Sequence, residues 1–341
     1  MRILVAGGAG FVGSHLCDEL LAEGHEVHCI DNLLSGRMAN IQHLRSVKAF
    51  QFIQADIIQG LPDLPPLDRI YHLASPASPP TYKAHPLETL RVNSEGTWRL
   101  LELSRAHQAR FLYISSSEVY GDPVEHPQRE EHRGNVSSTG PRSMYDEGKR
   151  YGEAITFAHA SLHRTDVRIV RLFNTYGPRS APNDGRMVPN FITQALSGQA
   201  LTIYGSGNQT RSVCYVADTV AGLIAVMESN QASGQVFNLG NPIERTVTEY
   251  AEAIVAAVGS QKAFVYTAPV VGDDPQRRKP DIGRIRSVVG WEPTVLLEQG
   301  LSETVAYFRE EARREQGPIR AVRAESLDGI ASPIPAWRAR Q

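Results

Sequence analysis

The sequence predicts an α/β fold, a doubly wound parallel sheet followed by a smaller C-terminal lobe, and three observations predict it. Short β-rich runs alternate with helical patterns through the first half of the chain, an order that builds a parallel sheet with helices on both faces. A glycine-rich turn, Gly7-Gly8-Ala9-Gly10-Phe11-Val12-Gly13, joins the first run to the first helix. After Leu172 the alternation stops, which marks the start of the second lobe. We therefore divide the chain into residues 1–172, residues 173–312 with some segments returning to the first domain, and a poorly ordered tail, 313–341.

Composition narrows the function. A chain of 341 residues, 41% of them hydrophobic, can build a substantial core. Its 35 Lys and Arg balance 37 Asp and Glu, and no basic run points to nucleic acid or an anionic membrane. Cys17, Cys29 and Cys214 are odd in number and set among apolar residues, as free thiols in a reducing compartment would be. No apolar run approaches the ~20 residues that span a bilayer, so the expectation is a soluble, cytoplasmic protein.

The elements follow in order. Arg2 to Ala6 is a β-rich run, and the glycines after it let backbone approach a pyrophosphate at the N-terminus of the next helix, among the N–H groups of Phe11 and Val12. Glu26 to Ile30 ends in Asp31-Asn32, 18 residues beyond Gly13, where a carboxylate binds ribose hydroxyls. This is a Rossmann-type arrangement, and Asp31 favours NAD over NADP because it repels a 2′-phosphate. Ser35 and Gly36 belong to the same turn, and Arg37 behind them could soften the preference. Ala49 to Gln54 leads to Asp56 and Ile57, with Asp56 toward the adenine. Arg69 to Leu73 leads to Ala74, Ser75 and a proline-rich loop. Ligands of such sheets bind beyond the carboxyl ends of the strands, which gathers these residues into one crevice.

A long helical pattern runs from Pro86 to about His107, and Arg110 to Ile114 then delivers Ser115-Ser116-Ser117-Glu118 to the same sheet edge. A loop rich in Pro, Gly and charge, Asp122 to Arg142, ends where the next helix begins. Tyr145 and Lys149 stand four apart on that helix and so share a face. An ammonium beside a phenol favours the phenolate, which makes Tyr145 a candidate general base. Val167 to Arg171 precedes the second lobe, where turn-rich segments carry Arg186 and Arg211, with Arg277 and Arg278 further on. Arginines on such loops suit a diphosphate or carboxylate.

Other chemistries fit less well. The Gly205 loop lacks the Gly-Lys-Ser/Thr ending of an ATP-binding loop, and no Gly-x-Ser-x-Gly elbow supports a serine hydrolase. His159 and His163 have metal-chelating spacing, but Ala160 stands where a metalloprotease has glutamate, so they read as an ordinary exposed helix face and no metal is expected. A nucleotide-sensing protein without chemistry would not need the Tyr, Lys and serine hydroxyls.

Together, the glycine turn, Ser116, Tyr145 and Lys149 make the chain resemble an extended short-chain dehydrogenase/reductase. The strings LASPASPPTY (73–82), SSEVYGDP (116–123), YDEGKR (145–150), FNTYGPR (173–179), NDGRMVPNFI (183–192), LTIYGSGNQTR (201–211) and DDPQRRKPD (273–281) narrow the resemblance to the UDP-glucuronic acid decarboxylases, over roughly nine-tenths of the chain. The resemblance implies NAD as a retained cofactor and a UDP-sugar substrate. It implies decarboxylation of UDP-glucuronate to UDP-xylose through a 4-keto sugar, with no net redox change. Tyr145, Lys149, Ser116, Ser117, Glu118 and Arg278 would be catalytic, and Thr175 would join the cofactor residues. The sugar nucleotide would meet Tyr82, Arg91, Asn174, Arg179, Arg186, Val188, Asn190, Tyr204, Gln209 and Arg211, together with Ser117, Glu118 and Arg278. The resemblance also implies a homodimer packed through helices near Pro86–His107 and Tyr145–His163. The rival activities are a 4,6-dehydratase, which needs an acid where Ser117 stands, a 4-epimerase, which needs neither Glu118 nor Arg278, and an oxidative decarboxylase.

Overall fold

Seven parallel strands form the main sheet, and the order in which they lie explains where a ligand can enter. The structure is a computed structural model describing residues 1–182, 184–268 and 277–316, with the side chains of 315 and 316 left out. Strands β1 (Arg2–Ala6), β2 (Glu26–Asp31), β3 (Phe50–Gln54), β4 (Arg69–His72), β5 (Arg110–Ser116) and β6 (Val167–Leu172) lie in the order 3-2-1-4-5-6, and Val236–Leu239 adds a seventh beyond β6. The order reverses between β1 and β4, which opens a crevice at their carboxyl ends. Each strand aligns in parallel with its neighbour, Val5 beside Cys29 on one side and Tyr71 on the other.

The sheet is covered on both faces, as an all-parallel sheet must be. Alternate residues of β1 divide between two cores. Ile3 and Val5 pack with Leu16 and Leu20 of helix α1 (Phe11–Ala22), and Leu4 and Ala6 with Leu100 and Leu101 on the other face. The helical pattern from Pro86 to His107 is continuous but contains one π turn, Val92–Gly96, that turns Asn93 into the interior. The 21-residue helix Ser143–His163 packs beside it and against β5.

Beyond β6 the chain builds the second lobe and then returns. Strand Leu201–Tyr204 pairs with Phe264–Thr267, and helix Val247–Val258 starts from a capping box in which Thr246 and Glu249 satisfy each other's backbone N–H groups. A three-stranded patch aligns Thr210–Arg211 between Arg245–Thr246 and Arg277–Arg278. Helix Val216–Glu228 packs on α1 and leads into Val236–Leu239, which lies beside β6. The final helix, Leu297–Gln316, continues past residue 313, and residues 317–341 of the expected tail lie outside the described residues. So do residues 273–276 of the DDPQRRKPD string.

Candidate active site

The crevice at the switch point starts from the glycine turn. Gly7 has φ 84°, and a Cβ on it would come within 2.6 Å of the Ala74 nitrogen. A Cβ on Gly13 would lie 2.2 Å from the Gly7 carbonyl oxygen. Only hydrogen fits at either position. Gly10 opens α1 without a side-chain cap, so the first N–H groups of that helix face the crevice as an anion site. Gly7, Gly10, Asp31, Asn32, Ser35, Asp56, Ile57, Leu73, Ala74 and Ser75 line one cleft. Such a glycine cradle, with a carboxylate one strand away, fits a dinucleotide.

Asp31 also holds the turn together. Its two oxygens accept the N–H of Ala9 at 3.0 Å and of Leu33 at 2.8 Å, and Gly36 packs against its carboxylate too closely for any side chain. Burial raises its pKa, against the lowering effect of those two N–H groups. Asn32 donates to Asp56 at 3.2 Å, and Asp56 accepts the N–H of Ile58 at 3.0 Å. Phe11, Val12 and Gly13 form the first turn of α1 rather than the cleft lining, while Thr175 directs its hydroxyl to Thr219 and the Phe173 carbonyl.

A second cluster surrounds Tyr145 at the end of β5. Tyr145 is buried, lies beside the Ser116 hydroxyl, and is stacked by Tyr82 with ring centroids 5.1 Å apart and planes 11° from parallel. The Tyr82 hydroxyl is buried and lacks a hydrogen-bond partner among the described residues, which suits it to meet a ligand. Lys149 is also buried. It donates to the Ile114 carbonyl at 2.9 Å, and its ammonium lies 5.9 Å from the Tyr145 ring centre. Burial lowers its pKa to about 7, opposed by Glu153. Burial raises Tyr145 to about 12, against the Ser116 hydrogen bond, with Glu118 and Asp146 adding to the rise and Arg186 opposing it. Burial is thus the largest influence on both groups and favours the neutral form of each.

Ser117 is buried at the start of a short 3₁₀ turn that places Glu118 beside this pair, and Glu118 caps back through its N–H to the Ser116 hydroxyl at 3.2 Å. Two guanidiniums hold the Glu118 carboxylate. Arg278 donates to both oxygens, to Oε2 at 2.8 Å, and Arg142 reaches Oε2 at 2.6 Å. Burial pushes Glu118 up, but Arg278 and Arg142, with Arg211 behind them, reverse this and hold it below its ordinary range. Arg142 opens the Tyr145 helix and was legible in the sequence only as the end of a loop. Asn93 is the other residue that the sequence reading passed over. From the π turn it donates to Ser75 Oγ at 3.0 Å and accepts from the Tyr113 hydroxyl at 2.9 Å, tying the cofactor loop to β5. No periodicity signals either residue, although a π turn in a helix beside a glycine crevice is a recurrent mark of a functional site.

The remaining expected substrate residues are dispersed. Arg186 stands before helix Met187–Leu196, paired with Asp184, and Asn190 lies one turn along the same helix with Val188 in the core. Arg211 is in register with Arg278. The backbone oxygen of Asn174 accepts the Cys214 N–H at 2.8 Å, and Gln209 donates to the carbonyl of the exposed Tyr204 at 2.6 Å. Arg91 lies apart from the cluster, paired with Glu95 on an exposed helix face. Arg179 is turned to Asp18 on α1, 2.6 Å away. His159 corrects the reading of an exposed face: it is buried, with Glu102 at 2.9 Å and Thr165 at 3.0 Å on its two nitrogens, because Trp98 and the neighbouring helix cover it.

Comparison with known proteins shows the family and the fold. Residues 3–240 match the sequence model of the NAD dependent epimerase/dehydratase family. UDP-glucuronic acid decarboxylase 1 of Xenopus tropicalis is 49% identical over 314 residues, covering 92% of this chain and 73% of that protein. Its namesake in Arabidopsis thaliana is 48% identical over 309 residues, 91% of this chain and 70% of that one. Among solved structures, UDP-glucuronic acid 4-epimerase from Bacillus cereus in complex with UDP-glucuronic acid and NAD is 29% identical with a TM-score of 0.81, over 91% of this chain and 100% of that chain. UDP-glucose 4-epimerase from Thermotoga maritima gives 30% and 0.82, over 92% and 100%. With a family match over most of its length, a glycine cradle at the switch point and a buried Tyr-Lys-Ser cluster beside it, the chain belongs to the NAD dependent epimerase/dehydratase family.

Proposed function

We propose that the protein is a UDP-glucuronate decarboxylase that forms UDP-xylose. The observation that carries this reading is the half-buried Glu118, held by Arg278 and Arg142 next to Ser116 and Tyr145. A 4-epimerase needs only the base and the cofactor. A reaction that expels a carboxylate and then reprotonates C5 needs charged groups on the far side of the sugar ring.

A bound NAD would supply a reversible hydride acceptor for C4, so that no net oxidation would remain. Gly7, Gly10, Gly13 and the N–H groups of Phe11 and Val12 would hold its pyrophosphate, Asp31, Asn32, Ser35 and Gly36 the adenosine ribose, and Asp56 and Ile57 the adenine. Leu73, Ala74, Ser75 and Thr175 would border the remainder. Tyr145 removes the C4 hydroxyl proton. Lys149 lies within reach of the same edge of the sheet, and the positive charge it carries when protonated offsets the cost of the phenolate.

With C4 a ketone, the C6 carboxylate is β to a carbonyl, and its C5–C6 bond breaks to release carbon dioxide. The electron pair moves to the C4 oxygen as an enolate, stabilised by hydrogen bonds from Ser116 and Tyr145. C5 then gains a proton in the region of Ser117, Glu118 and Arg278. Tyr82, Asn174, Arg186, Asn190, Gln209 and Arg211 would seat the nucleotide and sugar.

Purified protein incubated with UDP-glucuronate, with products followed by mass spectrometry and NADH by absorbance, tests the reading. A UDP-pentose lighter than the substrate by the mass of one carbon dioxide, without NADH build-up, supports it. A keto-pentose with stoichiometric NADH indicates the oxidative decarboxylase instead, and conversion of UDP-glucose alone overturns the carboxylate assignment.

The protein is further proposed to be a homodimer of the cytoplasm. Leu87, Leu90, Trp98, Tyr151, Phe157 and Leu162 are exposed apolar residues on the two helices expected to pair. All three cysteines are buried and free, and no helix among the described residues is long and apolar enough to cross a membrane. A monomer by light scattering at micromolar concentration, or recovery of the protein outside the cytoplasmic fraction, would remove the respective claim.

A further inference from the structure

Glu118 has two guanidinium partners where one would neutralise it, and they arrive from different parts of the fold. Arg278 crosses from the three-stranded patch of the second lobe, its carbonyl held by the Ser212 hydroxyl at 3.2 Å. Arg142 belongs to the same body as Glu118. Its carbonyl accepts the N–H groups of Tyr145 and Asp146 at 2.9 and 3.1 Å, so the first turn of the Tyr145 helix fixes it. The loop that delivers Arg142 also docks the segment that delivers Arg278. Gln128 exchanges backbone hydrogen bonds with Lys279 and Asp281, and its side chain accepts the Lys279 N–H at 2.8 Å.

Doubling has a physical use. A buried carboxylate stripped of its only cation reprotonates or pays heavily for its charge. A carboxylate with a second, fixed guanidinium can release the first without that penalty. We propose that Arg142 is the resident partner of Glu118 and thereby a positioning residue, which lets Arg278 turn from Glu118 to the carboxylate of an incoming uronic acid nucleotide. The inference rests on the UDP-glucuronate reading. It assigns the two arginines different duties: Arg142 keeps Glu118 ionised and aimed, and Arg278 is shared with the ligand.

The groups facing Glu118 bear on the pH test. Arg278 and Arg211 approach from the second lobe and Arg142 from the start of the Tyr145 helix, while Tyr145 and Asp146 stand on that helix and Tyr82 on the segment Pro79–Ala84. Of these the arginines alone favour the carboxylate. Removing Arg142 therefore moves Glu118 ionisation toward neutral pH.

The experiment compares binding of UDP-glucuronate and UDP-glucose, which lacks the carboxylate, to NAD-loaded protein by calorimetry. A Tyr145→Phe background prevents turnover. Arg142→Met is expected to weaken UDP-glucuronate by about thirtyfold or more, the scale for losing one partner of a buried charge pair, while UDP-glucose changes less than about twofold. Arg142→Lys should recover part of the difference. In the active protein, Arg142→Met should move the acidic limb of the kcat profile upward by about one pH unit. Equal weakening of both nucleotides, or an unmoved acidic limb, would mean that Arg142 serves only the fold and would overturn the inference. A parent protein that binds the two nucleotides alike would overturn the substrate reading itself, whereas a parent preference untouched by Arg142→Met overturns the division of duties alone.

Discussion

At the scale of single residues, the active cluster is a set of groups that folding has made uncomfortable. Tyr145 and Lys149 are both dehydrated, and burial moves them in opposite senses, to about 12 and about 7. Tyr145→Phe is expected to lower kcat by about 10²–10⁴ while circular dichroism stays unchanged, since it removes the base and keeps the ring stacked on Tyr82. A variant that keeps the parent rate would exclude Tyr145 as the base. Lys149 carries a stability cost with a definite sign. Its folded pKa lies below the unfolded value of about 10.4, so the cost is absent above that value and grows as pH falls toward 7. Lys149→Met should therefore raise the urea midpoint of the cofactor-free protein more at pH 7 than at pH 9.5. Equal shifts at both pH values would contradict the assignment.

At the scale of elements, two local departures from regular structure set the site. The first is the glycine turn, where strand, turn and helix are compressed until hydrogen alone fits at Gly13. Gly13→Ala should cost about 1–3 kcal/mol of stability through that collision and weaken NAD binding in parallel, as thermal melts with and without NAD would report. An unchanged NAD-induced rise in Tm would count against the cradle. The second is the π turn that sends Asn93 inward to Ser75, Tyr113 and the Thr89 carbonyl. Asn93→Ala leaves a buried tyrosine hydroxyl without its acceptor and is expected to cost about 1–3 kcal/mol, read from the denaturant midpoint. A neutral result would show that water replaces the amide.

At the scale of the whole molecule, the site is assembled from both lobes. Glu118, Ser116 and Tyr145 come from the end of β5 and the adjoining helix, and Arg278 and Arg211 from the small sheet of the second lobe. The opposite face of the helix that carries Tyr145 is where Tyr151, Phe157 and Leu162 are exposed, so association there would brace the helix without covering the crevice. Trp98→Glu combined with Leu162→Glu should convert the proposed dimer to monomer in sedimentation velocity, because two charges would enter an apolar contact. An unchanged sedimentation coefficient would place any interface elsewhere.

Much of this was legible in the chain itself. Strand and helix order, the glycine turn, Asp31 and the Tyr145–Lys149 spacing depend on short-range patterns, and short-range patterns survive in one dimension. The family match and the seven-stranded sheet agree with the reading of strand and helix order. What the sequence pattern could not carry is the contact geometry across long separations. Glu118 and Arg278 lie 160 positions apart, and while the resemblance put both in one site, no period of the chain pairs the carboxylate with the guanidinium. Arg142 looked like the end of a polar loop, Asn93 like one more residue of a regular helix, and His159 like an exposed position. Their roles follow from a helix start aimed at a half-buried carboxylate, a π turn that rotates one side chain inward, and a neighbouring helix that closes over an imidazole. Local propensity determined the scaffold, whereas burial and charge pairing, which exist only after packing, decided the chemistry of the site.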